Sequence, residues 1–247
     1  MTELLLLSNS TAPGKRFLEH ALDAIRETLS SCRRLLFVGF ASSDPDAYTE
    51  VMRQALAPLE VEVLGAHESA DPRRAIQEAE AIFVGGGNAF RLLRTLNRLD
   101  ALSTLESTVR AGVPYLGASA GTNLACPTIR TTNDMPIVEP CALTGLGLVP
   151  FQINPHYLDP DPLSTHLGET RQRRIEEFLE ENDVPVLGMR EGSWLRVSGH
   201  RVVLGGENGG RLFLRSEEHT EVPSGTDLSW LLEVPARFDV SSVGHGQ

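Results

Sequence analysis

Residues 113–125 read Val113-Pro114-Tyr115-Leu116-Gly117-Ala118-Ser119-Ala120-Gly121-Thr122-Asn123-Leu124-Ala125. An apolar run enters a Gly-x-Ser-x-Gly pentad, and a segment able to form a helix leaves it. That order predicts a strand, a tight turn at Ser119, then a helix. On such a turn the serine Oγ is held out of the sheet, and the flanking glycines allow the sharp backbone and leave room for a substrate. The helix beginning just after it aims backbone N–H groups and a partial positive charge at the hydroxyl. These features suit a nucleophile that attacks a carbonyl. The same five letters also describe a small-residue turn with an idle serine, so the surroundings must decide.

Upstream, short apolar runs alternate with helical patterns. Strands are predicted at 4–7, 35–41, 61–65 and 81–84. A helix is predicted over 15–29, where Phe17, Leu18, Ala21, Leu22, Ile25 and Leu29 recur at helical spacing. Asp44-Pro45-Asp46 and Asp71-Pro72 read as starts of further helices, the first running to about residue 56. Helical patterns follow over 89–96 and 101–111. Strands that are apolar throughout and alternate with amphipathic helices imply a parallel sheet covered on both faces. Ligands bind such sheets beyond the carboxyl ends of the strands, which places Gly85-Gly86-Gly87-Asn88 and Ser119 at one rim. Downstream, strands are predicted at 146–153 and 184–189 around a charged helix over 169–181. Short antiparallel strands are predicted at 193–197, 202–205 and 211–214. The fold class is therefore α/β, a mostly parallel doubly wound sheet with extra antiparallel strands toward the C-terminus. Residues 1–233 are expected to form a single α/β domain and 234–247 a flexible tail.

The 247 residues carry 22 basic and 33 acidic side chains, a formal net charge of -11. That balance disfavours nucleic acid and anionic membrane surfaces as partners, and a negative ligand would need locally placed arginines. No apolar run approaches a membrane span, and the first residues lack a basic segment and a signal-length apolar core. Cys32, Cys126 and Cys141 show no Cys-x-x-Cys spacing and read as reduced thiols in a cytoplasmic protein, with Cys126 and Cys141 in buried packing. A monomer or a homodimer is expected. No metal is expected, because no His-Glu-x-x-His, no paired histidines on one helix face and no cysteine cluster is present. No cofactor is expected either.

A serine nucleophile needs a base, an orienting carboxylate and an oxyanion hole. Of seven histidines, His156 in Asn154-Pro155-His156 follows a predicted strand and falls at the rim. Ala120, after the serine, supplies one oxyanion N–H, and the Gly85-Gly86-Gly87 turn fits the other. The glycine turn lacks both the Gly-x-Gly-x-x-Gly and the Gly-x-x-x-x-Gly-Lys phosphate patterns.

At this point the chain resembles a family. Ser8-Asn9-Ser10-Thr11, Gly85-Gly86-Gly87-Asn88, Ser119-Ala120-Gly121, residues 127–136 (PTIRTTNDMP), Gln152-Ile153-Asn154-Pro155-His156 and Gly168-Glu169-Thr170-Arg171 are similar to the peptidase E family of α-aspartyl dipeptidases, in the family's order. The similarity runs from about residue 4 to 214; the loop 157–167 and the segment beyond 214 match poorly. The resemblance implies a glutamine-amidotransferase-like, flavodoxin-like fold and a serine peptidase that removes the N-terminal aspartate from Asp-X dipeptides. It implies Ser119 as nucleophile, His156 as base, and Gly87 and Ala120 as oxyanion donors. Both Asp134 and Glu191 occupy positions with a role in the family. The rim position of Glu191 after a strand favours it as the histidine's partner, which leaves Asp134 to meet the substrate ammonium or support the site. Recognition of the aspartate carboxylate needs a cation, for which Arg130 and Arg171 stand in matched motifs. Asn88 is a further substrate contact or a helix cap. Two other readings remain: a hydrolase of β-aspartyl or cyanophycin-type bonds on the same fold, and a non-catalytic small-molecule binding protein.

Overall fold

Leu4, Leu5, Leu6 and Leu7 are all fully buried, yet they serve two different cores. Leu4 and Leu6 join Leu36, Val38, Ile82, Val84 and Tyr115 in one cluster. Leu5 and Leu7 join Leu35, Phe37, Phe83 and Leu116 in the other. Successive strand side chains point to opposite faces, so an unbroken apolar run requires a sheet covered on both sides.

The computed structural model of the chain describes residues 2–160 and 168–240. Its first half alternates β1 (Glu3–Leu7), α1 (Leu22–Thr28), β2 (Arg34–Val38), α2 (Pro45–Leu56), β3 (Glu62–Gly65), α3 (Pro72–Gln77) and β4 (Ile82–Val84). There follow α4 (Ala89–Arg98), α5 (Leu102–Arg110), β5 (Tyr115–Ala118) and α6 (Ala120–Ala125). The second half holds β6 (Gln152–Tyr157), α7 (Arg171–Glu181), β7 (Val186–Arg190), β8 (Ser193–Ser198), β9 (Arg201–Gly206), β10 (Gly210–Phe213) and β11 (Thr220–Val222). Seven strands form one sheet in the order β3-β2-β4-β5-β1-β8-β9, and four form another in the order β11-β10-β7-β6. The first five strands of the larger sheet are parallel, and the β8–β9 hairpin extends it antiparallel beside β1. In the smaller sheet β6 and β7 are parallel, while β10 and β11 are antiparallel. Helices α1 and α2 cover one face of the larger sheet. Helices α4, α5 and α6 cover the other, together with Ile153, Leu187 and Met189 of the smaller sheet.

The Asp-Pro signals act as read. Asp44 Oδ1 accepts from Ala47 N at 2.9 Å and Asp71 Oδ1 from Arg74 N at 3.1 Å, with Pro45 and Pro72 at the first helical positions. Three spans differ from expectation by more than two residues. The strand predicted at 35–41 ends at Val38. The helix predicted over 15–29 begins only at Leu22, because Leu18 adopts a left-handed φ of 60° and its N donates to Ser10 O at 2.7 Å. Leu18 is buried from a loop, so its apolar spacing reports packing and not helix. The strand predicted at 146–153 starts at Gln152. Leu146, Gly147 and Leu148 instead spend their N–H groups on the carbonyls of Leu124, Cys126 and Ala125, which close the end of α6.

Over 234–240 the segment expected as a flexible tail touches the body: Asp183 and Arg237 exchange backbone hydrogen bonds, and Val240 N donates to Glu181 O at 2.9 Å. Residues 241–247 of that segment lie outside the described residues, as do 161–167 of the poorly matching loop. Among the described residues no helix is long and apolar enough to cross a membrane.

Candidate active site

Ser119 sits between β5 and α6 at φ 51° and ψ −107°, a strained conformation for a residue with a Cβ. Its N donates to Leu7 O at 3.1 Å, and the Thr122 hydroxyl donates to the same carbonyl at 2.7 Å. The glycines of the pentad are needed for close approach. A Cβ on Gly121 would stand 2.1 Å from Val84 O, and one on Gly117 2.7 Å from Gly121 O. The helix therefore packs directly on the strands, and the strain at Ser119 is held by surrounding backbone.

The smaller sheet delivers the partner groups. His156 Nε2 lies 2.9 Å from Ser119 Oγ, and its Nδ1 lies 2.7 Å from Glu191 Oε1. A neutral imidazole with the proton on Nδ1 fits both contacts: it donates to the carboxylate and accepts from the hydroxyl. His156 also has a positive φ of 54°, at an irregularity of β6 between Pro155 and Tyr157. It stands inside the strand end and not after it. Glu191 directly follows β7, as its rim position predicts.

Residues just past β1 join the two sheets. Ser8 Oγ accepts from His156 N at 2.9 Å and donates to Met189 O at 2.8 Å. Asn9 Oδ1 accepts from Gly192 N at 2.9 Å, and Asn208 Nδ2 donates to Glu191 O at 2.7 Å. Ser8 and Asn9 are fully buried, and the Ser8–Met189 and Asn9–Gly192 bonds are shielded from water. They hold the backbone on both sides of the histidine–carboxylate pair.

The glycine turn after β4 faces Ser119: a Cβ on Gly86 would lie 3.2 Å from Ser119 Cβ. Gly87 has φ 128°, and a Cβ there would meet Ala41 O at 2.6 Å. Gly86 N donates to Tyr48 Oη at 2.9 Å and Asn88 N to Ala41 O at 3.1 Å. Gly87 N and Ala120 N have no partner among the described residues. Burial pushes the Tyr48 phenol pKa up, so the hydroxyl stays protonated. An open cleft of about 670 Å³ runs from Asn9 past Ser119, His156, Gly86, Gly87 and Asn88 to Tyr48, Val51 and Arg91.

The remaining candidates separate. Asp134 Oδ2 accepts from Ala89 N at 2.7 Å, at the start of α4, and makes no hydrogen bond to His156. Asn88 both caps α4, through Arg91 N at 3.0 Å, and donates to Met135 O at 2.8 Å. Arg171 opens α7 half-buried; burial and then Arg174 lower its pKa, while Asp134 works against them. No carboxylate among the described residues pairs with it. Arg130 is not brought to the cleft. Its guanidinium is paired with Asp239 at 2.7 and 3.3 Å and lies over the Phe178 and Phe238 rings. Cys126 is buried, with its thiol pushed up to about 12, but Cys141 is exposed, contrary to the expected packing role. Cys141 lies in the stretch 135–143, where Met135 and Ile137 are also exposed. Among the described residues no group of three or more His, Cys, Asp or Glu side chains is placed to hold a metal.

Sequence reading missed Ser8, Asn9 and Asn208 as supports, and Tyr48 and Arg91 as cleft residues. Ser8 and Asn9 did carry a signal, in the matched Ser8-Asn9-Ser10-Thr11 motif. Tyr48 and Arg91 carried none, since both sit within ordinary amphipathic helices.

Residues 4–205 match peptidase family S51. The chain belongs to that family. A peptidase E of Streptomyces coelicolor is 59% identical, over 97% of this chain and 98% of its own length. A Drosophila melanogaster protein named "probable alpha-aspartyl dipeptidase" is 46% identical, over 93% of this chain and 97% of its own. The crystal structure of a peptidase from an acI-B1 actinobacterium shares the fold at a TM-score of 0.66 and 14% identity, covering 92% of this chain and 96% of that one. Membership of family S51 makes this protein a serine-type peptidase.

Proposed function

We propose that the protein hydrolyses Asp-X dipeptides with a free N-terminal α-aspartate, through an acyl-enzyme on Ser119. The observation that carries this reading is the hydrogen-bonded row Ser119–His156–Glu191 in an S51 chain. Ser119 Oγ attacks the scissile carbonyl as His156 Nε2 takes its proton. Glu191 keeps the Nδ1 tautomer and stabilises the imidazolium. Gly87 N and Ala120 N receive the oxyanion, aided by the N-terminal end of α6. His156 then protonates the leaving amine, and water repeats the sequence on the acyl-enzyme. Arg171 takes the aspartate β-carboxylate, and Asp134 and Asn88 are assigned to the α-ammonium. The three free cysteines fit a reducing compartment, so we assign the reaction to the cytoplasm.

Product analysis with Asp-Leu, Asn-Leu and β-Asp-Leu tests the reading. Asp-Leu is cleaved, and Asn-Leu is slower by about a hundredfold or more, since an amide leaves a desolvated cation uncompensated. Preferred cleavage of β-Asp-Leu would select the β-aspartyl or cyanophycin-type reading. Binding without cleavage of any of the three would select the non-catalytic one.

A further inference from the structure

Arg91 lines the same cleft as Ser119 and His156 but has no part in the chemistry above. It lies in the first turn of α4, three residues after the Asn88 cap. Among the described residues its side chain makes one hydrogen bond, from Nη1 to Ala41 O at 3.3 Å, and no carboxylate pairs with it. Four of its five N–H donors are therefore left for a ligand. Ala41 O ties Arg91 to the oxyanion turn. The same oxygen accepts from Asn88 N at 3.1 Å and stands 2.6 Å from where a Cβ on Gly87 would sit. The guanidinium is thus one carbonyl group away from Gly87. Ala47, Tyr48 and Val51 make a partly apolar wall alongside. Asp44 also lines the cleft, with one carboxylate oxygen committed to Ala47 N.

In a dipeptide the terminal carboxylate is three bonds from the scissile carbonyl carbon. A cation that recognises it must lie close to the oxyanion hole, on the leaving-group side. We infer that Arg91 binds the free α-carboxylate of the second residue and so confines the enzyme to dipeptides. The inference rests on the dipeptidase reading. Arginine suits the task because its planar fork matches a carboxylate bidentately and keeps its charge. A longer peptide would present an amide there and leave the cation unpaired.

The test compares kcat/KM for Asp-Leu and for its C-terminal amide, Asp-Leu-NH2, in the native enzyme, Arg91→Met and Arg91→Lys. The native enzyme prefers the free acid by about tenfold or more, the effect of losing a charge-assisted pair. Arg91→Met loses about that factor on Asp-Leu, mainly through KM, and stays within twofold on the amide. Arg91→Lys recovers part of the loss. Equal native rates on acid and amide overturn the inference, as does an equal loss on both in Arg91→Met. A variant that instead loses its Asp-Leu over Asn-Leu preference moves Arg91 to the aspartate side and also overturns it. If the native enzyme cleaves neither compound, the dipeptidase reading itself has failed.

Discussion

The seven-stranded sheet and the four-stranded sheet hold their halves of the site by different means. On the larger sheet, Ser119 and the Gly85–Asn88 turn are set by backbone. The positive φ of Ser119 and the contacts that exclude a Cβ at Gly117, Gly121 and Gly87 leave the chain little choice. On the smaller sheet, His156 and Glu191 depend on side-chain bonds from residues far away in sequence. Ser8 reaches His156 N and Met189 O, and Asn9 reaches Gly192 N. The two halves meet at the end of β1, where Leu7 O accepts from Ser119 N and the next two residues hold the other sheet. A serine set by local geometry tolerates little change in its own loop. A histidine carried on another sheet is only as well placed as the bonds that join the sheets.

The largest expected effect is on the locally built half. Ser119→Ala lowers kcat for Asp-Leu by about 10⁴-fold or more, with an unchanged melting temperature. Near-native turnover in the purified variant would remove Ser119 from the chemistry and the comparison with it.

The next effect separates two carboxylates. Glu191→Gln lowers kcat on the order of 10³-fold, because the amide no longer stabilises the imidazolium or fixes its tautomer. Asp134→Asn costs about tenfold, mainly in KM, because its carboxylate serves Ala89 N and the Arg171 neighbourhood. The reverse ranking would make Asp134 the histidine's partner in the working enzyme.

The smallest effect probes the joint between the sheets. Ser8→Ala leaves the buried Met189 carbonyl and His156 N without their partner, a loss of about 1–3 kcal/mol in stability by thermal or urea unfolding. It also lowers kcat by about tenfold with KM within twofold, since His156 drifts while the cleft keeps its shape. Lower stability with unchanged kcat would show that the joint supports the fold alone and leaves the base in place.

The Ser119 turn, the glycine turn, the Asp-Pro helix starts and a sheet buried on both faces were legible from residue order. Each depends on dihedral limits, a cap or a period expressed within about a dozen residues. The matched motifs also named His156, the resemblance gave both Asp134 and Glu191 a role, and rim position favoured Glu191. The helix expected over 15–29 shows where such reasoning ends. Leu18 has helical spacing, but its burial comes from a loop folded under other elements.

What only the tertiary structure decided is which side chains meet. Arg130 stands in a matched motif, yet it is taken up by Asp239 and two phenylalanine rings more than a hundred residues away or from another helix. Tyr48 and Arg91 look like ordinary helix residues until the packing of α2 and α4 brings them to Ser119. His156 and Glu191 arrive on a sheet separate from the one that ends at Ser119. Residue order carries backbone preference and periodicity, which are local. A hydrogen bond of 2.7 Å between His156 and Glu191 depends on how two sheets pack, and that is settled by the whole fold.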